Sequence, residues 1–195
     1  MMTLVTPATT SLLGLTETKN YIKVEHAADD GLIRDIIIPA AINNVENYCG
    51  YRTAVQVWKQ YDPGGVAAIE LYQAPINSID SVTVYDSFDS TGTLLSATTD
   101  YRVVDNKLLS SDGYWYKKRD VDGYTIEYTV GSWETGDPRL AAIKQAALRC
   151  VSWLYENRSE YLTSIQEAHA LNFDFNAIPA GAKALLNPFS RNIGF

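Results

Sequence analysis

The chain has 195 residues, 46% of them hydrophobic and 20% charged, enough apolar material for one elaborated domain or two small ones around a packed core. Its net charge of −7 argues against a protein that wraps nucleic acid, because such affinity comes from a basic face that neutralises phosphates. The two cysteines, Cys49 and Cys150, lie far apart with no Cys or His at ligand spacing, which argues against a zinc site and predicts two buried thiols on helices.

The segment MMTLVTPATTSLLGLTET has neither a basic leader nor a long apolar run, so no signal peptide is expected. No uninterrupted apolar stretch approaches membrane-spanning length. The pattern predicts a short first helix capped by Thr16, with Leu15, Tyr21, Ile22 and Val24 as its apolar contacts. A second helix is predicted to start near Asp29 or Asp30. Leu32, Ile33, Ile36, Ile37, Ala40, Ala41, Val45 and Tyr48 recur at three- and four-residue steps, giving one wide apolar face. Pro39 removes one helix hydrogen bond and predicts a kink, and Gly50 ends the helix.

The periodicity then switches to two. Thr53–Gln60, Val66–Tyr72, Ser78–Asp86, Tyr101–Val104 and Gly123–Val130 read as strands, with Asp62-Pro63-Gly64-Gly65 as a turn. In the last strand Tyr124, Ile126, Tyr128 and Val130 share one face. Turn signals every ten residues or so predict a small antiparallel sandwich or barrel-like subdomain.

Helical periodicity returns at Asp137-Pro138, an N-cap followed by proline at the first helical position. Leu140, Ile143, Ala147, Val151 and Leu154 form a stripe as far as about Asn157. Residues 159–176 carry mixed helix and loop signals. A short helix runs from Ile178-Pro179 to Leu186 and stops at Asn187-Pro188. The expected fold is therefore α+β: a small helical bundle (residues 1–51 and 133–176), an inserted β-rich subdomain (52–132), and an extended C-terminal tail (177–195). The two flanking stripes are expected to share one core built from Leu32, Ile33, Ile36, Ile37, Val45, Ile143, Ala147, Val151 and Leu154.

Catalytic machinery is thin. His26 and His169 are the only histidines, and neither sits in a recognisable catalytic frame, so no enzymatic activity, cofactor or metal is expected. Asp86-Ser87-Phe88-Asp89-Ser90-Thr91-Gly92 misses the alternating oxygens and final glutamate of a calcium loop and reads as a solvated hairpin loop. The run Tyr114-Trp115-Tyr116-Lys117-Lys118-Arg119 interleaves aromatics with cations. That makes Tyr114, Trp115 and Tyr116 the candidates for an alternative role, a β-domain that binds a glycan or nucleic acid. Asp112, Asp120 and Asp122 flank the run, which favours a strand end and turn instead.

The order of three stretches carries a resemblance. The first is Leu15-Thr16-Glu17, then Asp29-Asp30-Gly31-Leu32-Ile33, ending in Val45-Glu46-Asn47-Tyr48-Cys49-Gly50-Tyr51-Arg52. The second is Tyr124 to Gly131 leading into Asp137-Pro138-Arg139-Leu140 and closing with Leu154-Tyr155-Glu156-Asn157-Arg158. The third is Ile178-Pro179-Ala180-Gly181-Ala182-Lys183-Ala184-Leu185-Leu186-Asn187-Pro188-Phe189. Together they cover about half the chain, and the chain resembles the head–tail connector (adaptor) proteins of long-tailed bacteriophages, in the branch with a β-rich insertion. The resemblance implies a structural virion protein assembled in the host cytoplasm. It would form a homo-oligomeric ring, usually a dodecamer, beneath the portal. It would also touch a stopper or tail-completion protein, with DNA only passing through the channel and no membrane involved. It further implies that the tail engages the portal, which makes Ile178, Pro179, Leu185, Leu186, Pro188, Phe189, Ile193 and Phe195 the candidate portal interface.

Overall fold

The computed structural model describes residues 1–87, 91–131, 133, 136–158 and 178–191. The fold is α+β, and the chain divides into two compact units. One comprises Met1–Thr10 with Tyr51–Trp133, the other Ser11–Gly50 with Glu134–Phe195.

The β unit holds β1 (Met2–Thr6), β2 (Gln56–Asp62), β3 (Ala68–Glu70), β4 (Ile76–Val84), β5 (Thr93–Leu94), β6 (Tyr101–Val104), β7 (Lys107–Ser110) and β8 (Tyr124–Val130). They form two open antiparallel sheets, one ordered β1-β2-β8-β4-β5 and the other β3-β7-β6, with no closed barrel. The five strands read from two-residue periodicity are all present. β1, β5 and β7 are additional. The sequence pattern did not mark β1 because its five residues are exposed on both faces and it exists through long-range pairing with β2.

β8 lies at the centre of its sheet, and its alternation sets the core. Tyr124, Ile126, Tyr128 and Val130 point inward as expected, joined by Ile69, Leu71, Val82, Tyr101, Leu108 and Trp115. Gly131 follows with φ +88°, and a Cβ there would stand 1.9 Å from the Ala54 carbonyl oxygen, so the position admits only glycine. Among the described residues of this unit, the buried side-chain polar groups are satisfied. The Gln60 amide donates to the Glu70 carbonyl (2.7 Å) and accepts from the Tyr128 hydroxyl (3.3 Å) and the Tyr72 N–H (3.3 Å).

In the helical unit, α1 spans Leu15–Ile22, α2 Asp30–Leu32, α3 Ile38–Cys49, α4 Pro138–Glu156 and α5 Ala180–Leu186. One expected cap differs: Gly14 holds the N-cap of α1, with Thr16 inside the helix. The second helix starts at Asp30 as expected, with Asp29 at its N-cap position and its carboxylate accepting from the Tyr155 hydroxyl. At Asp137 the expected cap forms. Its Oδ1 accepts from the Arg139 N–H (2.8 Å), Pro138 opens α4, and the Arg139 guanidinium lies 2.7 Å from Oδ2.

The irregularity expected at Pro39 takes the form of a π-helical turn, Ile33–Ile37, between α2 and α3. Pro39 lacks the N–H that an α-helix would direct to residue 35, and its ring crowds that carbonyl. A wider turn, with the Ile38 N–H reaching back to Ile33, relieves both. The extra residue moves the apolar face. Ile33, Ile37, Ile38, Ala41, Val45 and Cys49 are buried, while Ile36, expected in the core, is 61% exposed. Across from them α4 buries Ile143, Ala146, Ala147, Leu148, Cys150, Val151 and Tyr155. Ile33, Ile37, Val45, Ile143, Ala147 and Val151 thus lie in the core as expected. Leu32 and Leu154 are half-buried, the latter because Tyr155 takes the inward position at the end of α4. Residues 159–177 lie outside the described residues.

The Asp137 cap supports a prediction. The neighbouring Arg139 guanidinium holds the Asp137 carboxyl below the usual carboxylate range. A depressed pKa stabilises the fold fully above the unfolded value of about 3.9, and the contribution disappears as pH falls through the folded value. Asp137→Ala should cost about 1 kcal/mol at pH 7 by urea melts. The gap from wild type should narrow once the pH drops below about 4.

Candidate functional site

The aromatic–cation run is the first candidate, and its geometry works against a recognition platform. Trp115 is 2% exposed, its indole N–H donates to the Leu108 carbonyl (2.9 Å), and its ring meets Tyr124 edge-on at 5.0 Å. Alternation at a strand end sends Trp115 inward and leaves Tyr114 and Tyr116 outside, packed edge-to-face on each other at 5.4 Å. Two exposed tyrosines closed on one another leave no three-ring stack for bases or sugars.

The cations are occupied as well. Lys117 pairs with Asp120 (2.8 Å), Lys118 with Asp86 (2.6 Å) and Arg119 with Asp122 (3.3 Å), while the Arg119 guanidinium also covers the Tyr85 ring. Asp120 is held below the ordinary carboxylate range by its hydrogen bond to Lys117, and Lys118 is raised by Asp86. The flanking aspartates therefore neutralise the run locally. The alternative reading of Tyr114, Trp115 and Tyr116 as a glycan or nucleic-acid site would have to work without a shared face of three rings and with its cations already paired.

Asp86, the first residue of the acidic loop, is the partner of Lys118, and residues 88–90 of that loop lie outside the described residues. Among the described residues no group of His, Cys, Asp and Glu is arranged to hold a metal ion. Cys49 and Cys150 are buried thiols on α3 and α4, as expected, and burial pushes the Cys150 thiol up to about 11. His26 faces solvent near Asp29, and His169 lies outside the described residues. Among the described residues no helix is long and apolar enough to cross a membrane.

The tail is the second candidate. An α5 free for a partner was the expectation, but this helix packs on α4 of its own unit and buries Ile178, Ala182 and Leu186. Polar contacts reinforce the docking. Arg149 donates to the Gly181 carbonyl (2.9 Å), Tyr48 to Asn187 (2.6 Å), and the Arg191 N–H to the Cys49 carbonyl (3.1 Å). A seven-residue helix gains little from its own hydrogen bonds, so it lies where its apolar face finds cover, and α4 is the nearest such surface. Of the candidate interface residues, Ile178 and Leu186 are thereby used internally. Pro179, Leu185 and Phe189 are half-buried, Pro188 is exposed, and Ile193 and Phe195 lie outside the described residues.

The edge strand β1 is a third surface, one that sequence reasoning missed. Met1 and Met2, with Leu4 and Val5, expose apolar side chains along an edge without charge or proline inside the strand. The signal available was the alternation Met2-Thr3-Leu4, too short to stand out.

No protein-family model and no curated protein sequence matches the chain. Solved structures do. A chain from the neck of an empty gene transfer agent particle, computed with C6 symmetry, has a TM-score of 0.69 at 18% identity. A chain from the virion of a native gene transfer agent particle scores 0.69 at 19%, and one from the neck of a native particle computed with C12 symmetry scores 0.65 at 19%. Each match covers 100% of this chain and 98% of the other. Both units and their order in the chain thus recur in these structures, and the fold is one found in the necks of phage-like particles.

Proposed function

We propose that this chain is a structural protein of a phage-like virion neck, a head–tail connector repeated in a ring beneath the portal that extends the DNA channel toward the tail. The end-to-end likeness to gene transfer agent neck chains carries this reading, since it spans both units and not one motif. The sequence resemblance to phage connectors points the same way from independent features. In this role the helical unit is the connector frame and the β unit an elaboration on it. A stopper or tail-completion protein would meet the ring on the side away from the portal.

The chemistry suits a non-enzymatic job. A wall along a DNA channel must not hold the duplex. A chain of net charge −7 whose Lys117, Lys118 and Arg119 are each engaged by a carboxylate offers a duplex little grip. The portal contact falls to the outer part of the tail, Leu185, Pro188 and Phe189 with Ile193 and Phe195, because Ile178 and Leu186 are committed to α4.

The test is a pull-down with the cognate portal ring, together with negative-stain images of the mixture. Wild type should add a ring of density to one face of the portal. Truncation after Asn187 keeps α5 and its buried face, so the protein should stay folded by circular dichroism and lose portal binding. Unchanged binding by the truncated chain would move the interface away from the tail. A wild-type chain that never joins the portal would overturn the connector role.

A further inference from the structure

We infer that copies of this chain join edge to edge through their five-stranded sheets, β1 of one copy pairing with the free stretch of β4 of the next. The inference rests on the ring reading above and adds the surface that builds the ring.

β1 is an outer strand with one side paired to β2 and the other open. Met1 and Tyr61 exchange backbone hydrogen bonds in both directions. In an antiparallel ladder such pairs alternate with pairs that do not bond, so Met2 and Leu4 direct their N–H and C=O groups away from β2. The strand has no charged residue and no proline to guard the edge, a register irregularity between Leu4 and Thr6 interrupts it only near its end, and Leu4 and Val5 are 42% and 45% exposed. A hollow of about 630 Å³ adjoins it, lined by Met1, Thr3, Tyr61 and Val121 and by the charged Arg119, Asp120 and Asp122. A strand laid along β1 would send alternate side chains over that hollow.

The opposite margin of the same sheet supplies the complement. β5 pairs with β4 only at Thr83 and Val84, and Val82 meets Leu95, so the outer side of Ile76–Ser81 has no strand partner among the described residues. Four residues of this stretch, Ile76, Ser78, Ile79 and Ser81, keep register with β8, with irregularities between Ile76 and Ser78 and between Ile79 and Ser81, and they face five residues in β1. The polarity also matches. β1 is antiparallel to β2, β2 to β8 and β8 to β4, so β1 and β4 run in opposite directions. A rotation that sets copies side by side therefore continues the sheet as an antiparallel ladder.

The faces agree too. Met2 and Leu4 share the inner face with Gln60 and Trp58, and Ile76, Ile79 and Val82 share it with Val130, Tyr128 and Ile126. Apolar side chains meet apolar ones inside, while Thr3 meets Ser78 or Ser81 outside. Such a head-to-tail contact uses two different edges of one subunit, the kind of contact that builds a ring when the rotation between copies closes. Asp80 does not stand across the edge, since its carboxylate accepts from Ser78 and Thr129 on its own sheet.

Thr3 lies in a hydrogen-bonded pair with β2, so it would occupy a non-bonded, close pair with β4 of the next copy, the geometry that favours a disulfide. Chains carrying Thr3→Cys are mixed with chains carrying Ser78→Cys or Ser81→Cys and oxidised at concentrations where wild type assembles. Cys49 and Cys150 are buried and contribute little background. A heterodimeric cross-link in one of the two mixtures is the expected result. Leu4→Pro removes only an outward N–H, so it should leave the melting curve within a few degrees of wild type and abolish assembly.

Rings that form with neither cross-link overturn the inference while leaving the connector reading intact. Thr3→Cys cross-linking to itself shows a two-fold β1–β1 contact and overturns it as well. A chain that stays monomeric at every concentration and never joins the portal overturns both readings.

Discussion

Replacing Ile37 with aspartate is expected to unfold the helical unit, whereas the same change at Ile36, one residue earlier, should be almost silent. Ile37 is 5% exposed in the π-helical turn that packs on α4, and an unpaired carboxylate there costs several kcal/mol, on the order of the whole stability of a small domain. Ile36 points to solvent, and a surface change of this kind stays within about 0.5 kcal/mol. In a regular α-helix running from Ile33, residues 36 and 37 would both face inward. Urea melts followed by circular dichroism separate the two cases. Equal, large losses in both variants would show that the π-turn is absent and the helix regular through Pro39.

The second large effect is expected at Trp115. Trp115→Ala removes a fully buried ring, its hydrogen bond to the Leu108 carbonyl and its edge contact with Tyr124, and should cost about 3–5 kcal/mol. Tyr116→Ala, at a side chain 60% exposed, should stay within about 0.5 kcal/mol. Thermal melts monitored by tryptophan fluorescence provide the measurement. A Trp115→Ala protein with unchanged melting would place the indole on the surface and restore the aromatic run as a binding platform. The ordering matters for function, because a ring that holds two sheets together cannot also stack against a ligand.

These two sites show where sequence reasoning reached and where it stopped. The α+β class, five of the strands, the inward face of β8, the Asp137 cap of α4 and the stop of α5 at Asn187 were legible, because each depends on the spacing of nearby residues. The likeness to a fold from the necks of phage-like particles was legible in the same way, through the order of three segments. The sequence also showed that Pro39 must disturb its helix, since the missing N–H is a property of the residue itself.

How the helix absorbs Pro39 was decided only in three dimensions. A kink and a π-turn relieve the same clash, and the choice depends on whether Ile36 or Ile38 finds room against α4. The direction of Trp115, the pairing of each cation with its aspartate, and the return of α5 to its own helices are likewise settled by partners distant in the chain. So is β1, whose five residues carry no strong periodicity and become a strand because β2 offers them a ladder. Local spacing determines which elements form. Which of their faces are left for other molecules depends on what the rest of the chain has already covered.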